Sequence, residues 1–326
     1  MAKKDTKKHK KKKHGFRNFI TCLLCIVALI FSAYSIIAVR YIGMMHKSES
    51  NGYSVSGTQP IYNEGVRNIL LVGTDGRSAG ENSRSDTMIL LSINDSNRTV
   101  TLTSIMRDIY VPIAGHGSDK LNSAYAYGGQ DLLIDTIRQN FRIDVDECIT
   151  VNFRSFAFLA DALGGIDMQI SDAEADAINI ILQSEVNNIM GDDVNSDLLS
   201  GGGMVHLNGK QALSYSRIRY VGNADFERTQ RQRNVIEALT QKARTLNPMV
   251  FDEYMQKALP ELSTNMRSVD LYLLSLKAPL LFTYDMKQYR IPTEGTWNYA
   301  TINGSSIISV DLEANISALQ RDVFNN

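Results

Sequence analysis

Cysteine is scarce in this sequence, and the few cysteines present cannot cross-link the larger part of the chain by disulfides. Of three cysteines in 326 residues, Cys22 and Cys25 lie inside an apolar run, and Cys148 is the one thiol beyond it. The Cys-x-x-Cys spacing would suggest a redox pair in a soluble fold, but inside a lipid-embedded helix such cysteines act as small apolar residues. We therefore expect no disulfide outside the run, and a hydrophobic core must hold the rest of the chain together.

Charge is absent from residues 19–39, a run of 21 positions. At about 1.5 Å of helical rise per residue, the run spans about 30 Å, which is enough to cross the hydrocarbon of a bilayer. Nine cations and one anion precede it in residues 1–18, so the positive-inside rule places the N-terminus in the cytoplasm. A cleaved signal peptide is the alternative, but the run exceeds its usual apolar core and no clear cleavage site follows. We expect a single-pass protein of the cell membrane, with nearly all of the chain extracellular.

Excess positive charge is missing from the remainder of the chain. The 34 cations and 35 anions of the whole sequence leave a net charge of −9 once residues 1–18 are set aside. An acidic body of this kind has no general affinity for nucleic acid. We interpret the lysine-rich residues 1–18 as a cytoplasmic tail that fixes topology and touches acidic headgroups, in preference to a DNA-binding arm.

The chain beyond the apolar run divides into three predicted parts. Residues 40–65 are rich in Ser, Gly and Asn and read as an extracellular stalk, residues 66–246 as the main domain, and residues 247–326 as a C-terminal extension packed on it. In the main domain, strand-like and helical patterns alternate, which favours a three-layer αβα fold with a central mixed β-sheet. The predicted strands are Asn68–Gly73, Thr87–Ile93, Thr99–Ile105 and Cys148–Phe153, and the predicted helices are Gly129–Phe141, Ser155–Leu163, Asp172–Ile189 and Phe226–Arg244. In the extension, residues 301–305 are expected to turn a hairpin before a last helix that starts near Asp311.

Two carboxylates are the first candidate site residues. Asp75 follows one predicted strand and Asp86 precedes the next, so neighbouring strands would bring both to one end of the sheet. A pair of carboxylates with room for water and phosphate oxygens suits Mg²⁺. Taken alone, an Asp beside a Gly is more often ordinary turn chemistry.

Arginines strengthen the case for a site. A strand-like alternation over Leu213–Arg219 places Arg217 and Arg219 on one face, and helical spacing turns Arg228 and Arg231 inward. Inward guanidinium groups in an acidic domain need an anion, and their planar forks favour phosphate or carboxylate. Arg107 follows a predicted strand and is a fifth candidate, whereas Arg233 is expected on a solvated face. With Mg²⁺, the five arginines would cradle a pyrophosphate.

Residues 66–244 resemble the LytR-CpsA-Psr family of cell-wall phosphotransferases through several motifs in one order. These motifs are Gly73-Thr-Asp75-Gly-Arg77, Arg84-Ser-Asp86-Thr-Met88, Ser104-Ile-Met-Arg107-Asp108, Lys120-Leu-Asn122-Ser-Ala-Tyr125, Ala162-Leu-Gly-Gly165, Leu207-Asn-Gly209-Lys-Gln-Ala212-Leu-Ser-Tyr215-Ser-Arg217-Ile-Arg219 and Asp225-Phe-Glu-Arg228-Thr-Gln-Arg231-Gln232. One departure is Met106, where many members carry Pro, although Arg107 beside it is in place. The N-terminal anchor also agrees with the family's topology.

The resemblance implies a reaction on the outer face of the membrane. A polyprenyl-pyrophosphate-linked glycan, such as teichoic acid or capsule, is the donor, and a peptidoglycan hydroxyl attacks the sugar-proximal phosphorus. Polyprenyl phosphate leaves, and polymer and wall are joined through a phosphodiester. A sensory or regulatory ectodomain and a polyprenyl-pyrophosphate hydrolase are the alternatives; a binding module has no need of converging acids and arginines, whereas the hydrolase would use the same site.

The resemblance also implies roles for individual residues. Asp75 and Asp86 would hold Mg²⁺ at the pyrophosphate, and Asp75 is the first candidate for general base. The implied pyrophosphate-binding arginines are Arg107, Arg217, Arg219, Arg228 and Arg231, with Arg77 and Arg84 as additional contacts. Arg107 and Asp86 would act with Asp75 in catalysis by positioning and charge stabilisation. Apolar residues in 153–163 would line a pocket for the isoprenoid chain, although each alone reads as ordinary core.

Overall fold

The computed structural model describes residues 25, 28–48, 59–76, 84–222, 224–243 and 248–324. The predicted tail, Arg77 and residues 49–58 of the predicted stalk lie outside these residues. No helix within the described ranges is both long enough and apolar enough to cross a bilayer. The predicted span 19–39 falls only partly in these ranges, where residues 28–44 form a helix, here called α1. The anchor therefore stays a prediction.

A seven-stranded mixed sheet organises the described chain. Its order is β1-β10-β7-β2-β3-β4-β11, with β2 antiparallel to β3 and parallel to β7. The strands are β1 (His46–Lys47), β2 (Val66–Thr74), β3 (Ser85–Asn94), β4 (Thr99–Ile105), β5 (Tyr110–Ile113), β6 (Gly117–Lys120), β7 (Glu147–Val151), β8 (Ile166–Ile170), β9 (Gly203–Leu207), β10 (Ser263–Thr264), β11 (Asp285–Ile291), β12 (Trp297–Ile302) and β13 (Ser305–Val310). Strands β5–β6, β8–β9 and β12–β13 form three separate two-stranded sheets.

Helices connect and cover these strands. After α1 they are α2 (Ser123–Phe141), α3 (Phe153–Ala162), α4 (Asp172–Ile181), α5 (Asn187–Met190), α6 (Gly209–Arg217), α7 (Ala224–Lys242), α8 (Pro248–Ala258), α9 (Ser268–Leu281) and α10 (Leu312–Leu319). A π-helical turn joins α4 to α5, which together cover the single helix predicted from Asp172. The chain is thus an α/β protein with a central mixed sheet, as predicted.

Alternating side chains of the sheet pack in two different hydrophobic cores, one on each face. Leu70 of β2 belongs to a cluster with Leu132 of α2, whereas its neighbour Ile69 belongs to a cluster with Leu271 of α9. Successive strand residues point to opposite faces, so this division follows from the pleat. Helices consequently pack on both faces of the sheet. A third cluster lies among α3, α4, α6 and α7, away from the sheet's own cores.

The C-terminal 80 residues contribute directly to the main sheet. Strand β11 pairs in parallel with β4, from Asp285 opposite Thr99 to Ile291 opposite Ile105. The predicted division at residue 246 therefore separates segments that share one sheet. The sequence of β11 is polar and alternates weakly, so its pattern did not predict a strand. The hairpin predicted at residues 301–305 and the last helix are present, and Asp311 caps that helix through Ala314.

The strand predicted over Leu213–Arg219 is wrong, because residues 209–217 form helix α6. Asn208 begins this helix with a capping box: its side-chain oxygen accepts a hydrogen bond from the backbone N–H of Gln211, and the side-chain oxygen of Gln211 accepts one from the backbone N–H of Asn208. Such reciprocal capping satisfies N–H groups that the first helical turn leaves unpaired. The prediction applied the two-residue period of a strand to Leu213–Arg217, whereas these residues follow the 3.6-residue period of a helix. Ile218 leaves the helical conformation, and Arg219 lies just beyond it.

Candidate active site between two cavities

The two predicted carboxylates do lie at one end of neighbouring strands. Strands β2 and β3 pair until Thr74 faces Ser85, so Asp75 and Asp86 stand next to this last pair. Asp86 accepts a short hydrogen bond from Arg107 Nη1, and its other oxygen lies 3.8 Å from Arg219 Nη2. The sheet register therefore brings one carboxylate between two predicted site arginines.

Arg107 follows β4, the strand beside β3, and has acidic neighbours. Besides Asp86, the carboxylate of Asp108 lies 3.4 Å from Arg107 Nε. Burial disfavours the charge of Arg107, but Asp86, Asp108 and Asp225 outweigh burial and raise the pKa of Arg107. Arg107 is thus held fully charged at the base of the site.

Arg228 has the least favourable environment of the predicted arginines. Its side chain is only 4% exposed, and Nη1 lies 3.0 Å from Asp225 Oδ1 without the alignment of a hydrogen bond. Its Nε has no hydrogen-bond partner among the described residues. Burial, followed by repulsion from Arg107, lowers the pKa of Arg228 to about 10. A buried cation with unused donors is costly, so this position is suited to bind an anion.

Arg217 stands at the end of α6 and has both apolar and acidic contacts. Its guanidinium carbon lies 4.0 Å from the ring centroid of Phe153, and Nη2 pairs with Glu185. The buried Nε of Arg217 has no hydrogen-bond partner within the described ranges. Together with Arg107 and Arg228, it gives the site three buried Nε–H groups that make no hydrogen bond to any described residue.

Arg231 and Arg233 on α7 depart from the sequence interpretation. Arg231 is held by the carboxylates of Glu174 and Glu227, each at 3.0 Å, and lines neither cavity described below. Arg233 is 5% exposed and donates hydrogen bonds to Ser104 Oγ and Gln288 Oε1, so the expected solvated face is wrong. Its neighbour β11 supplies the burial, and that strand was not predicted.

An apolar cavity of about 390 Å³ lies on one side of Asp86 and Arg219. Phe153, Phe156 and Leu159 of α3 line it, in agreement with the expectation for residues 153–163. Its other lining residues include Met45, Leu71, Ile149, Leu213, Arg217, Arg228, Gln232, Ile236, Leu239 and Leu262. Apolar walls that end in guanidinium groups suit a ligand with a long hydrocarbon tail and an anionic head.

A second cavity of about 640 Å³ shares Asp86 and Arg219 with the first and is lined mostly by polar side chains. Its lining includes Asp75, Arg84, Arg107, Asp108, His116, Asp119, Lys120, Asn122, Tyr127, Asn303 and Ser305. The rings of His116 and Tyr127 stack with centroids 4.4 Å apart, and the Tyr127 hydroxyl donates to Asp119. Except for Asp75, Asp86, Arg84, Arg107 and Arg219, the sequence interpretation had not singled out these residues as site residues. Lys120 and Asn122 belong to a motif quoted above, whereas His116, Asp119 and the residues of the β12–β13 turn have no sequence signal of their own.

The two carboxylates suit a metal ion. Asp75 and Asp86 both line the polar cavity, and their hard oxygen donors fit Mg²⁺, which needs only one or two protein carboxylates beside phosphate oxygens. No group of three or more His, Cys, Asp or Glu suited to a metal ion occurs in the described residues. Any cation at Asp86 would share that carboxylate with Arg107 and Arg219.

The fold and site define a class of protein. An α/β scaffold carries an arginine-rich anion site between an apolar and a polar cavity, which is suited to an amphiphilic anionic substrate. The chain belongs to the LytR_cpsA_psr family, whose model matches residues 38–321.

Named relatives and solved structures agree with this membership. The chain is 33% identical over 259 residues to the polyisoprenyl-teichoic acid–peptidoglycan teichoic acid transferase TagU of Enterococcus faecalis, covering 74% of this chain and 78% of that protein. It is 31% identical to TagU of Bacillus licheniformis, covering 81% and 82%. The structure of TagT bound to LI-WTA superposes with a TM-score of 0.64 at 25% identity, over 85% of this chain and 99% of that one.

Proposed function

We propose that this protein is a phosphotransferase that attaches polyprenyl-pyrophosphate-linked anionic glycopolymers to peptidoglycan. Relatives with 33% and 31% identity carry the name of such a transferase for teichoic acid. The observation that carries the proposal is the junction at Asp86 and Arg219, which line both the apolar and the polar cavity. The donor has an apolar tail, a pyrophosphate and a glycan in that order. The apolar cavity, the arginines and the polar cavity follow in the same order.

The three parts of the donor are assigned by chemistry. The polyprenyl chain occupies the apolar cavity beneath α3 and α7, and the glycan enters the polar cavity. The pyrophosphate lies at the junction, where Arg107, Arg217, Arg219 and Arg228 supply the cations. An anion there would accept hydrogen bonds from the unused Nε–H groups and relieve the repulsion between Arg228 and Arg107. Arg84 lines the polar cavity and is proposed as a further contact.

The transfer step is a displacement at phosphorus. The acceptor hydroxyl of peptidoglycan attacks the sugar-proximal phosphorus and loses its proton, a new P–O bond forms, and the bond to the bridging oxygen breaks. Polyprenyl phosphate leaves with that oxygen and its charge, which the arginines stabilise. Asp75 lines the polar cavity and is the proposed acceptor of the proton, since Asp86 is already paired with Arg107 and Arg219. Mg²⁺ held by Asp75 and Asp86 would neutralise charge on the phosphate oxygens.

The site's position in the cell is part of the proposal. A single helix over residues 19–39 would anchor the chain in the cell membrane, with residues 1–18 cytoplasmic and the catalytic domain extracellular. A lipid-linked donor and a wall acceptor meet only near that outer surface. Tethering there would raise the effective concentration of donor.

Acceptor dependence tests the function directly. The purified full-length protein in detergent or nanodiscs is incubated with a polyprenyl-pyrophosphate-linked glycan and Mg²⁺, with and without peptidoglycan. We expect wall-linked polymer and polyprenyl phosphate only when peptidoglycan is present. Equal release of polyprenyl phosphate without peptidoglycan would make the protein a hydrolase, and no turnover with bound donor would favour a sensory ectodomain.

A further inference from the structure

Helix α9 presents an apolar stripe to the outside of the protein. Val269, Leu273, Leu276 and Leu280 are each between 37% and 54% exposed. Their spacing of four, three and four residues places them on one face of the helix. The opposite face is buried, since Leu271 packs in the core cluster on the sheet face that α9 covers. Single exposed apolar residues are common, but four aligned on one helix mark a contact surface.

A hydrogen bond sets the level of this stripe relative to the proposed membrane anchor. Ser35 Oγ of α1 lies 2.7 Å from the hydroxyl of Tyr272 in α9. Ser35 is four residues before Val39, where the predicted span ends, and four residues of helix rise about 6 Å. With α1 along the bilayer normal, the Tyr272 hydroxyl is therefore about 6 Å below the outer end of the span. Interfacial helices bury their apolar faces about 5–10 Å into a bilayer.

Above Ser35, α1 contacts α8 through charged and aromatic groups. Tyr41 donates a hydrogen bond to Asp252 of α8, and Arg40 lies 3.7 Å from the same carboxylate. Charged and aromatic groups thus start where the predicted span ends, as in the interfacial belts of membrane proteins. Below that level, the exposed large side chains in the described part of α1 are Tyr34 and a set of purely apolar residues, Leu29, Ile30, Phe31, Ile36 and Ile37.

The apolar cavity lies close to the same two helices. Met45, which follows α1, lines the cavity and also packs in the cluster that contains Leu271 of α9. Leu262, just before β10, lines the cavity beside it, and β10 pairs with β1. A bilayer in contact with α9 would therefore reach the protein next to this end of the cavity.

From these contacts we infer that α9 lies in the outer leaflet surface as an interfacial helix, with Val269, Leu273, Leu276 and Leu280 inserted among phospholipid acyl chains. The helix and the anchor together fix the orientation of the domain, so that the apolar cavity faces the bilayer from which a polyprenyl chain must enter. This inference rests on the proposed membrane anchor and donor. It assigns α9 a role that lies outside the transfer chemistry.

Fluorescence quenching in lipid tests the insertion. The full-length Leu273→Trp protein is placed in phospholipid nanodiscs with brominated acyl chains, and the matched control is Ile180→Trp, since Ile180 of α4 is an equally apolar residue with 63% exposure. The native Trp297 is common to both variants. We expect the added Trp at 273 to lose most of its fluorescence to bromine and to resist aqueous iodide, with the reverse at 180. Alkaline carbonate extraction establishes separately whether the chain is integrated in the membrane.

Each outcome decides the inference. Quenching by bromine at 273 and not at 180 supports it. Carbonate-resistant protein with iodide quenching at 273 overturns it while leaving the anchor in place. Shielding at 273 from both quenchers also overturns it, because a second copy or another protein would then cover the stripe.

Transfer rates with two kinds of donor test this inference independently of the proposed function. We expect the Leu273→Glu, Leu276→Glu double variant to lose about tenfold in transfer from a bilayer-embedded donor, since its cavity is no longer presented to the lipid. Transfer from a donor with a short, water-soluble prenyl chain should stay unchanged. The matched control, Ile180→Glu with Met204→Glu, should behave as wild type with both donors. Equal loss with both donors would contradict the orienting role, whereas a wild-type protein inactive with both would contradict the proposed function.

Discussion

The two cavities that meet at Asp86 and Arg219 differ in both walls and origin. The apolar cavity is built from regular elements, α3, α7 and the sheet, and its side chains are shared with the surrounding core. The polar cavity is built from short hairpins and turns, and its side chains hydrogen-bond and ion-pair with one another, as in Lys120 with Asp108. The apolar cavity can hold a hydrocarbon chain, which has no polar groups to recognise. The polar cavity has enough polar side chains to select among glycans.

The same comparison separates the arginines into two groups. Arg107, Arg217, Arg219 and Arg228 line a cavity, and in all but Arg219 a buried Nε–H makes no hydrogen bond within the described part of the chain. Arg231 has two carboxylate partners and two carbonyl acceptors, from Ile218 and Val221. We therefore reassign Arg231 from the pyrophosphate site to a structural role, in which it ties α7 to α4 and to the chain after α6.

The largest effect on transfer is expected from Arg228→Met. Removing the buried cation should lower transfer about a hundredfold to a thousandfold, because charge on the departing phosphate loses a desolvated partner. The free protein should become more stable by about 1 kcal/mol or more, since a buried charge that Asp225 compensates only in part is gone. Steady-state transfer rates and thermal unfolding of the apoprotein measure the two effects.

Arg233→Met is the matched control for Arg228→Met. Burial also lowers the pKa of Arg233 to about 10, but its guanidinium has neutral hydrogen-bond acceptors in Ser104 and Gln288. We expect this variant to lose stability and to retain transfer. Similar transfer by the two variants would remove the distinction between the two arginines.

A charge placed in the apolar cavity should weaken donor binding. Ile236 of α7 lines that cavity, and Ile236→Glu should raise the Kd for glycan-free polyprenyl pyrophosphate about tenfold to a hundredfold, because a carboxylate would be buried beside the hydrocarbon. Binding of the lipid measured by intrinsic fluorescence or calorimetry checks this. An unchanged Kd would mean that the chain binds elsewhere.

A substitution in the polar cavity should have a smaller effect, and only on donors that carry a glycan. Tyr127→Ala removes one ring of the stack with His116 and should weaken binding of the glycan-bearing donor about threefold to fivefold. Binding of the glycan-free lipid should stay unchanged. Equal weakening of both ligands would contradict the division of the donor between the two cavities.

The smallest effect on transfer is expected from Glu174→Gln, which removes a partner of Arg231. Burial disfavours the Glu174 carboxylate, but hydrogen bonds from Ser171 and Arg231 prevail and lower its pKa below the ordinary 4.5. A carboxylate with a lowered pKa contributes stability above that ordinary value and loses it as the pH falls. The variant should be about 2 kcal/mol less stable at neutral pH. That difference should shrink below pH 4.5, with transfer per folded molecule unchanged; loss of transfer would return Arg231 to the substrate site.

Much of the fold and part of the site could be predicted from the sequence. The strand Thr99–Ile105 is reproduced at both ends, because its apolar run has clear boundaries and lies buried in mid-sheet. Strand β11 has a polar sequence, and it is partly buried only because β4 and α7 pack against it. The local sequence pattern does not indicate that burial, so the strand was not predicted. Arg231 shows a related limit: helical spacing predicts its inward direction, and the residue is buried, but spacing cannot show whether a carboxylate such as Glu174 or a substrate pairs with it.

The measurement that tests the account most directly is transfer by Asp86→Ala and Arg219→Ala, the two residues common to both cavities. Arg219 is 38% exposed and Asp86 25% exposed at the side chain, so neither substitution removes much core volume and the unfolding temperature should change little. Both variants should lose at least about a hundredfold in acceptor-dependent transfer of lipid-linked glycan to peptidoglycan. Wild-type rates in both folded variants would contradict the claim that the pyrophosphate binds where the two cavities meet.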